Sequence, residues 1–241
     1  MKAVMLAAGK GNRLKIHGNV TNKCFVKVCN RPLLEYALDF INPSFFTELI
    51  IVVGYNAEYV INYIGTSFHG VKVSYIHQEH PRGIVDAIKF AYEAIACEEF
   101  LMMLSDEIII DPRISHMIEY FNNGDFDGIC GVTHESAERI SVSYSLRTDD
   151  KNKILQVQEK PAMPFNSLCG TGLCIANRSL LELVFSTPVN NERNEYELCD
   201  WLQLGIDQKL RLQSFVVGSR SFNINTNADI IEAERYIRGK S

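Results

Sequence analysis

Short apolar runs alternate with amphipathic stretches along the first half of the chain. Residues 3–7, 49–53, 71–76, 100–104 and 128–132 are apolar at most positions and are bounded by turn residues. That is the pattern of strands buried on both faces of a sheet. Between them, Leu34, Ala37, Leu38 and Ile41, and then Ile84, Ile88, Ala91 and Ile95, recur at helical spacing. Pro32 suits the first turn of the earlier helix. Strand–helix–strand alternation predicts an α/β fold: a three-layer, Rossmann-like, mixed and mostly parallel sheet with helices on both faces. After about Val132 the texture changes. Strands are expected at 141–146, 154–157 and 172–175 with short connections, and helices at 180–185, 196–204 and 229–237. No Pro- or Ser-rich linker and no repeat interrupts the chain. One domain over 1–241 is therefore expected, with a first half at 1–132 and a second at 133–241.

Composition narrows the class. The chain is 46% hydrophobic and 22% charged, which excludes a disordered, collagenous or coiled-coil protein. Its apolar runs are too short to span a bilayer. The formal charge of −5 gives no global pull toward nucleic acid, so an anionic ligand needs a local site. The seven cysteines are odd in number, contain no Cys-x-x-Cys and mostly lie among apolar residues. They read as buried, reduced side chains in a cytoplasmic protein. The apolar start reaches Gly9-Lys10-Gly11-Asn12-Arg13 before a signal-peptide core can form.

That same segment is the strongest local signal. Leu6-Ala7-Ala8-Gly9-Lys10-Gly11 follows a buried strand directly, and Arg13 and Lys23 lie on the same connection. Glycines let backbone N–H groups approach a ligand closely, and the cations suit a polyphosphate. The spacing fits neither the dinucleotide fingerprint nor the P-loop. It resembles the signature of the sugar-1-phosphate nucleotidyltransferases, roughly Leu-Ala-Ala-Gly-x-Gly-Thr-Arg-Leu, a Pro-Lys, then Val-x-x-x-Pro-Leu. Lys23 matches the lysine, and Val28 to Leu33 match the continuation.

Further landmarks follow in the family's order. Gln78 and Gly83 match the glutamine and glycine that contact the base, alongside Leu6, Ala7, Ala8, Gly9 and Gly11. Asp106, after the strand at 100–104, matches the aspartate that holds Mg²⁺. Glu159-Lys160-Pro161 matches Glu-Lys-Pro, in which the glutamate meets sugar hydroxyls and the lysine the sugar phosphate. Gly172 lies in the stretch that resembles the glycine strand bordering the sugar. Departures are local. Asn12 replaces a threonine, Asn22 a proline and Ser105 a glycine, and the 15–22 loop lacks Pro-Leu-Thr. Cys174 stands where a tyrosine is frequent. At the second metal ligand, usually aspartate, direct alignment places Asn223 and a shifted alignment Asn225.

The resemblance implies a Mg²⁺-dependent attack of an acceptor phosphate on the α-phosphorus of an NTP. Arg13, Lys23 and Asp106 would be catalytic and pyrophosphate would leave. The implied partners are an NTP and a phosphorylated small molecule, with no nucleic acid and no membrane. Family members are often dimers or tetramers, so a homo-oligomer is the other expected partner. Two alternatives stay open: a cytidylyltransferase acting on a non-sugar phosphate such as phosphocholine, and an inactive regulatory subunit of the same fold. No hexapeptide-repeat extension is visible, and neither the base nor the sugar is readable.

Overall fold

A computed structural model describes residues 1–9, 22–96, 98–191 and 193–240. Four strands form the parallel centre of a ten-stranded mixed sheet, in the order Phe100–Leu104, Lys2–Ala7, Glu48–Val53, Val71–His77. Their alternate residues face opposite sides, and both sides are covered. Ala3, Met5, Leu49, Ile51, Leu101 and Met103 pack in one core with the helices Leu33–Leu38, Ala57–Ile64 and Ile114–Asn123. Val4, Ile50, Val52, Phe100 and Met102 pack in the other, with the helices Ile84–Ile95, Arg178–Glu182 and Leu198–Asp207. Continuous apolar strands are the direct consequence of this three-layer arrangement.

The second half joins the same sheet. The long strand Leu168–Ala176 runs antiparallel to Phe100–Leu104, with Cys174 opposite Met102. On its other side it pairs with Gly128–His134, and its register shifts between Gly170 and Cys174. The hairpin Tyr144–Thr148 and Ile154–Glu159 extends one edge, and Leu212–Val216 pairs parallel to Gly128–His134. A separate two-stranded ribbon pairs Glu107–Ile110 with Arg220–Asn223. A small third core, built on Val28, Leu33, Ile108, Phe222, Ile224 and Ala233, seats the ribbon beneath the C-terminal helix Asn227–Lys240.

Among the boundaries that differ from the sequence reading, three have a clear local reason. The strand expected from 141 begins at Tyr144, because Ala137–Ile140 form a helical turn closed by Ser141 N–H to Ala137 O at 2.9 Å. The helix expected from 196 begins at Leu198, because Tyr196 N–H donates to Arg82 O at 2.7 Å and is held out of the helix. Pro32 lies one residue before its helix and pairs with Lys27. Five of the six described cysteines are buried and all six are free. Among the described residues no helix is long and apolar enough to cross a membrane.

Candidate active site

The central strands end at a cleft of about 610 Å³. Ligands of open α/β sheets bind at this carboxyl edge. Leu6, Ala8, Gly9, Gln78, Gly83, Lys23, Asp106, Asn223 and Asn225 all line the cleft, with Asp106 after one neighbour of the first strand and Gln78 after the strand two places away on its other side. Ala7 is buried behind the wall. Arg13 and Gly11 lie outside the described residues.

Asp106 owes its place to two pairings. Ser105 N–H donates to Leu6 O at 3.2 Å, which continues the parallel ladder one residue beyond the strand. The chain then turns into Glu107–Ile110, where Glu107 stands opposite Asn223, and Ile224 N–H closes onto Asp106 O at 3.0 Å. The ribbon thus brings together residues more than a hundred positions apart.

Lys23 is fixed by its own short helix, Lys23–Phe25, which Asn22 caps by accepting from Cys24 N–H at 3.0 Å. Asn22 also donates its amide to Tyr55 O at 3.0 Å. An asparagine in the expected proline's place therefore performs two anchoring jobs. The Lys23 ammonium, buried to 9% side-chain exposure, donates to Asp106 Oδ2 and, at 2.9 Å, to Asn225 Oδ1. Asn225 in turn donates to Asn223 Oδ1 at 3.0 Å. Its backbone is held by Asp229, which accepts from Asn225 N–H at 2.8 Å and Thr226 N–H at 2.7 Å at the mouth of the C-terminal helix. Behind Lys23, the Cys24 thiol lies 3.2 Å from Ser105 Oγ, and burial pushes it up to about 11.

Gln78 and Gly83 line the same cleft. Gln78 is anchored by its N–H to Val53 O at 2.8 Å, and its amide donates to Asp86 Oδ2 at 2.6 Å. Gly83 has φ +97°, and an added Cβ would sit 2.5 Å from Tyr196 O. Only glycine admits that approach. Tyr196 is clamped there, accepting from Val85 N–H at 3.2 Å with Lys89 Nζ 3.3 Å from its ring centre. The wall of the cleft is therefore stapled to the loop that leads into the helix Leu198–Asp207.

Glu159 and Lys160 lie outside the cleft lining, at the end of Ile154–Glu159. Lys160 Nζ is 3.5 Å from Glu159 Oε1, and Arg193 Nη1 is 3.3 Å from the same oxygen. Arg193 also reaches Glu197 at 3.1 Å, and the Cys199 thiol donates to Glu159 Oε2 at 3.4 Å. Burial, aided by the Glu159 charge, raises the carboxyls of both Glu197 and Asp200. Arg193 escaped the sequence reading because it is a single cation in a polar loop, with no motif around it. Gly172 is buried in its strand, and its N–H donates to Glu107 at 2.8 Å. A Cβ there would sit 2.3 Å from Leu104. Glu107 is itself buried, which pushes its carboxyl up to about 8.

Among the described residues no three His, Cys, Asp or Glu side chains are grouped to cage a metal. One carboxylate, Asp106, and one neighbouring amide oxygen form a sparse hard-oxygen set. Such a set fits Mg²⁺, which keeps several waters and draws further ligands from substrate phosphates. Lys23 engages Asp106 through Oδ2 and also takes the Asn225 amide oxygen.

A family model described as nucleotidyl transferase matches residues 2–222. The chain belongs to this family. Over 239 residues it is 28% identical to the low-salt glycan biosynthesis nucleotidyltransferase Agl11 of Haloferax volcanii, covering 98% of this chain and 66% of that protein. It is also 28% identical to a glucose-1-phosphate thymidylyltransferase of Streptomyces griseus, covering 98% of this chain and again 66% of that protein. Its identity to the UTP–glucose-1-phosphate uridylyltransferase AglF of Haloferax volcanii is 27%, covering 99% of this chain and 97% of the relative. The family fold is equally plain. A crystal structure of UDP-glucose pyrophosphorylase complexed with UDP-glucose superposes with a TM-score of 0.86 at 20% identity, covering 100% of this chain and 99% of that one.

Proposed function

We propose that this chain joins an NTP and a sugar 1-phosphate to give an NDP-sugar and pyrophosphate. The observation that carries the reading is the convergence of Lys23, Asp106 and Asn223 on one cleft that Gln78 and Gly83 also line. The glycosyl phosphate oxygen is ionised at neutral pH, so it attacks the α-phosphorus without an enzymatic nucleophile. Catalysis then rests on positioning and on offsetting charge. Lys23 neutralises charge on the triphosphate from a buried, pre-oriented position. Mg²⁺, when bound through Asp106 and Asn223, supplies Lewis-acid stabilisation of the phosphates. Gln78 and the backbone at Gly83 read the base. Lys160 and Arg193 hold the acceptor phosphate, and Glu159 accepts hydrogen bonds from the sugar hydroxyls. Arg13, named by the sequence resemblance, would offset charge on the triphosphate, a task to which an arginine side chain is suited.

The test is pyrophosphate release from each NTP with a panel of sugar 1-phosphates and alcohol phosphates, with and without Mg²⁺. Turnover with a sugar 1-phosphate, lost in Lys160→Ala through a raised KM for that acceptor, is the expected result. Turnover with phosphocholine or another alcohol phosphate alone would replace the sugar. Nucleotide binding without turnover for any acceptor would make the chain a regulatory subunit.

A further inference from the structure

Gln78 and Asp86 are both buried, at 1% and 8% exposure, and they face each other across the cleft wall. A primary amide is chemically ambiguous: one end donates and the other accepts, and rotation by half a turn exchanges them. Here the ambiguity is removed. Asp86 Oδ2 lies 2.6 Å from the Gln78 side-chain nitrogen, and an ionised carboxylate can only accept. The NH₂ end must point at Asp86. The backbone of Gln78 is pinned independently by its N–H to Val53 O at 2.8 Å, which fixes the point from which the side chain extends. Asp86 sits in the first turn of Ile84–Ile95, where a carboxylate is favoured by the helix N-terminus. What Gln78 keeps for a ligand in the cleft is its carbonyl oxygen.

We infer that Asp86 determines base specificity, by locking the Gln78 amide so that the nucleotide base meets a hydrogen-bond acceptor and never a donor. This rests on the proposed nucleotide site and deepens it. Asp86 is a positioning residue, because it acts on the base through Gln78. The base must therefore present an N–H at this point of its edge. A base offering a carbonyl or ring nitrogen there leaves two buried acceptors facing each other, and such mispairing is what makes polar sites selective.

The discriminating variant is Asp86→Asn, which keeps the shape of the side chain but can donate as well as accept. When the substituted amide donates to the Gln78 carbonyl, the Gln78 side chain turns and offers its NH₂ to the base. Dissociation constants for ATP, GTP, CTP and UTP with Mg²⁺, measured by calorimetry without an acceptor, give a ranking for each protein. The expected result is that Asp86→Asn changes the ratio between the preferred and the next triphosphate by about tenfold, the equivalent of about 1.4 kcal/mol. Wild-type and variant melting temperatures should stay close. A uniform weakening of all four, or no change, overturns the inference, because a merely structural Asp86 moves every affinity alike. Gln78→Leu is the second variant: it should flatten the ranking, and an intact ranking there also overturns it. Wild-type protein that binds none of the four, nor dTTP, refutes the nucleotide site and the inference with it. Binding with no sugar 1-phosphate turnover refutes only the acceptor assignment.

Discussion

Gly83→Ala separates two costs that are usually confounded, the conformation of a backbone and the closeness of a neighbour. Gly83 has φ +97° and ψ 178°, a region L side chains rarely adopt. The conformational part costs about 1–3 kcal/mol. A Cβ at this position would also stand 2.5 Å from Tyr196 O and 2.9 Å from Tyr196 N, both backbone atoms that cannot rotate away. Forced displacement of that kind adds about 1–3 kcal/mol. Gly65 supplies the control. It too has positive φ, +75° with ψ −152°, yet nothing lies within 4 Å of its Cβ position. Gly65→Ala should carry only the first cost. At about 2–4 °C per kcal/mol for a chain of this size, calorimetry should show a fall of roughly 12 °C for Gly83→Ala against roughly 6 °C for Gly65→Ala. Triphosphate affinity should drop only in the former, since Gly83 lines the cleft and Gly65 does not. Equal losses of stability in the two variants would refute the idea that Tyr196 is stapled against Gly83.

The remaining predictions concern charge and metal. Asp106→Ala should abolish Mg²⁺-dependent pyrophosphate release, and near-normal release would exclude a metal role. Asn223→Ala should raise the Mg²⁺ concentration needed for half-maximal rate about tenfold, the loss of roughly one ligand's worth of binding at 1.4 kcal/mol per decade. Asn225→Ala, whose amide oxygen serves Lys23, should lower kcat with little change in that requirement; equal, unchanged Mg²⁺ dependence in both would remove Asn223 as a ligand. Glu107, held near 8 by burial, binds its proton more tightly folded than unfolded, so its contribution to stability is present below the ordinary carboxylate range and is lost as pH rises to about 8. Glu107→Gln mimics the protonated form, so in urea titrations its stability relative to wild type should improve steadily from about pH 5 to about pH 8; a pH-independent difference would show that the carboxyl titrates normally.

The central sheet was legible because burial on both faces leaves no polar position to hide a strand: Glu48–Val53 is apolar at every residue after the first. The order of landmarks also placed Lys23, Asp106, Gln78 and Gly83, which the fold gathers around one cleft. Other features were silent for physical reasons. The helix Ala57–Ile64 carries the exposed aromatics Tyr59 and Tyr63, which blur its apolar stripe. The ribbon of Glu107–Ile110 with Arg220–Asn223 is two short segments whose partners are remote in sequence, and neither is long enough to declare itself. In the stretch that resembles the family's sugar-bordering glycine strand, Gly172 N–H donates to Glu107, a contact no spacing could reveal. Nor could spacing show that the Lys23 ammonium donates to Asn225.

The strand Leu168–Ala176 has a consequence for how the chain is made. Phe100–Leu104, in the middle of the sheet, finds one neighbour in Lys2–Ala7 and the other only in Cys174 to Ala176. During synthesis the first half therefore emerges with an open, apolar edge that stays unsealed until Cys174 has been added. Non-local closure of this kind slows folding and leaves a transient template for wrong pairing. The nascent chain is thus most exposed to aggregation while residues 105–175 are being translated, and a truncation anywhere in that interval would leave the same edge permanently unsealed.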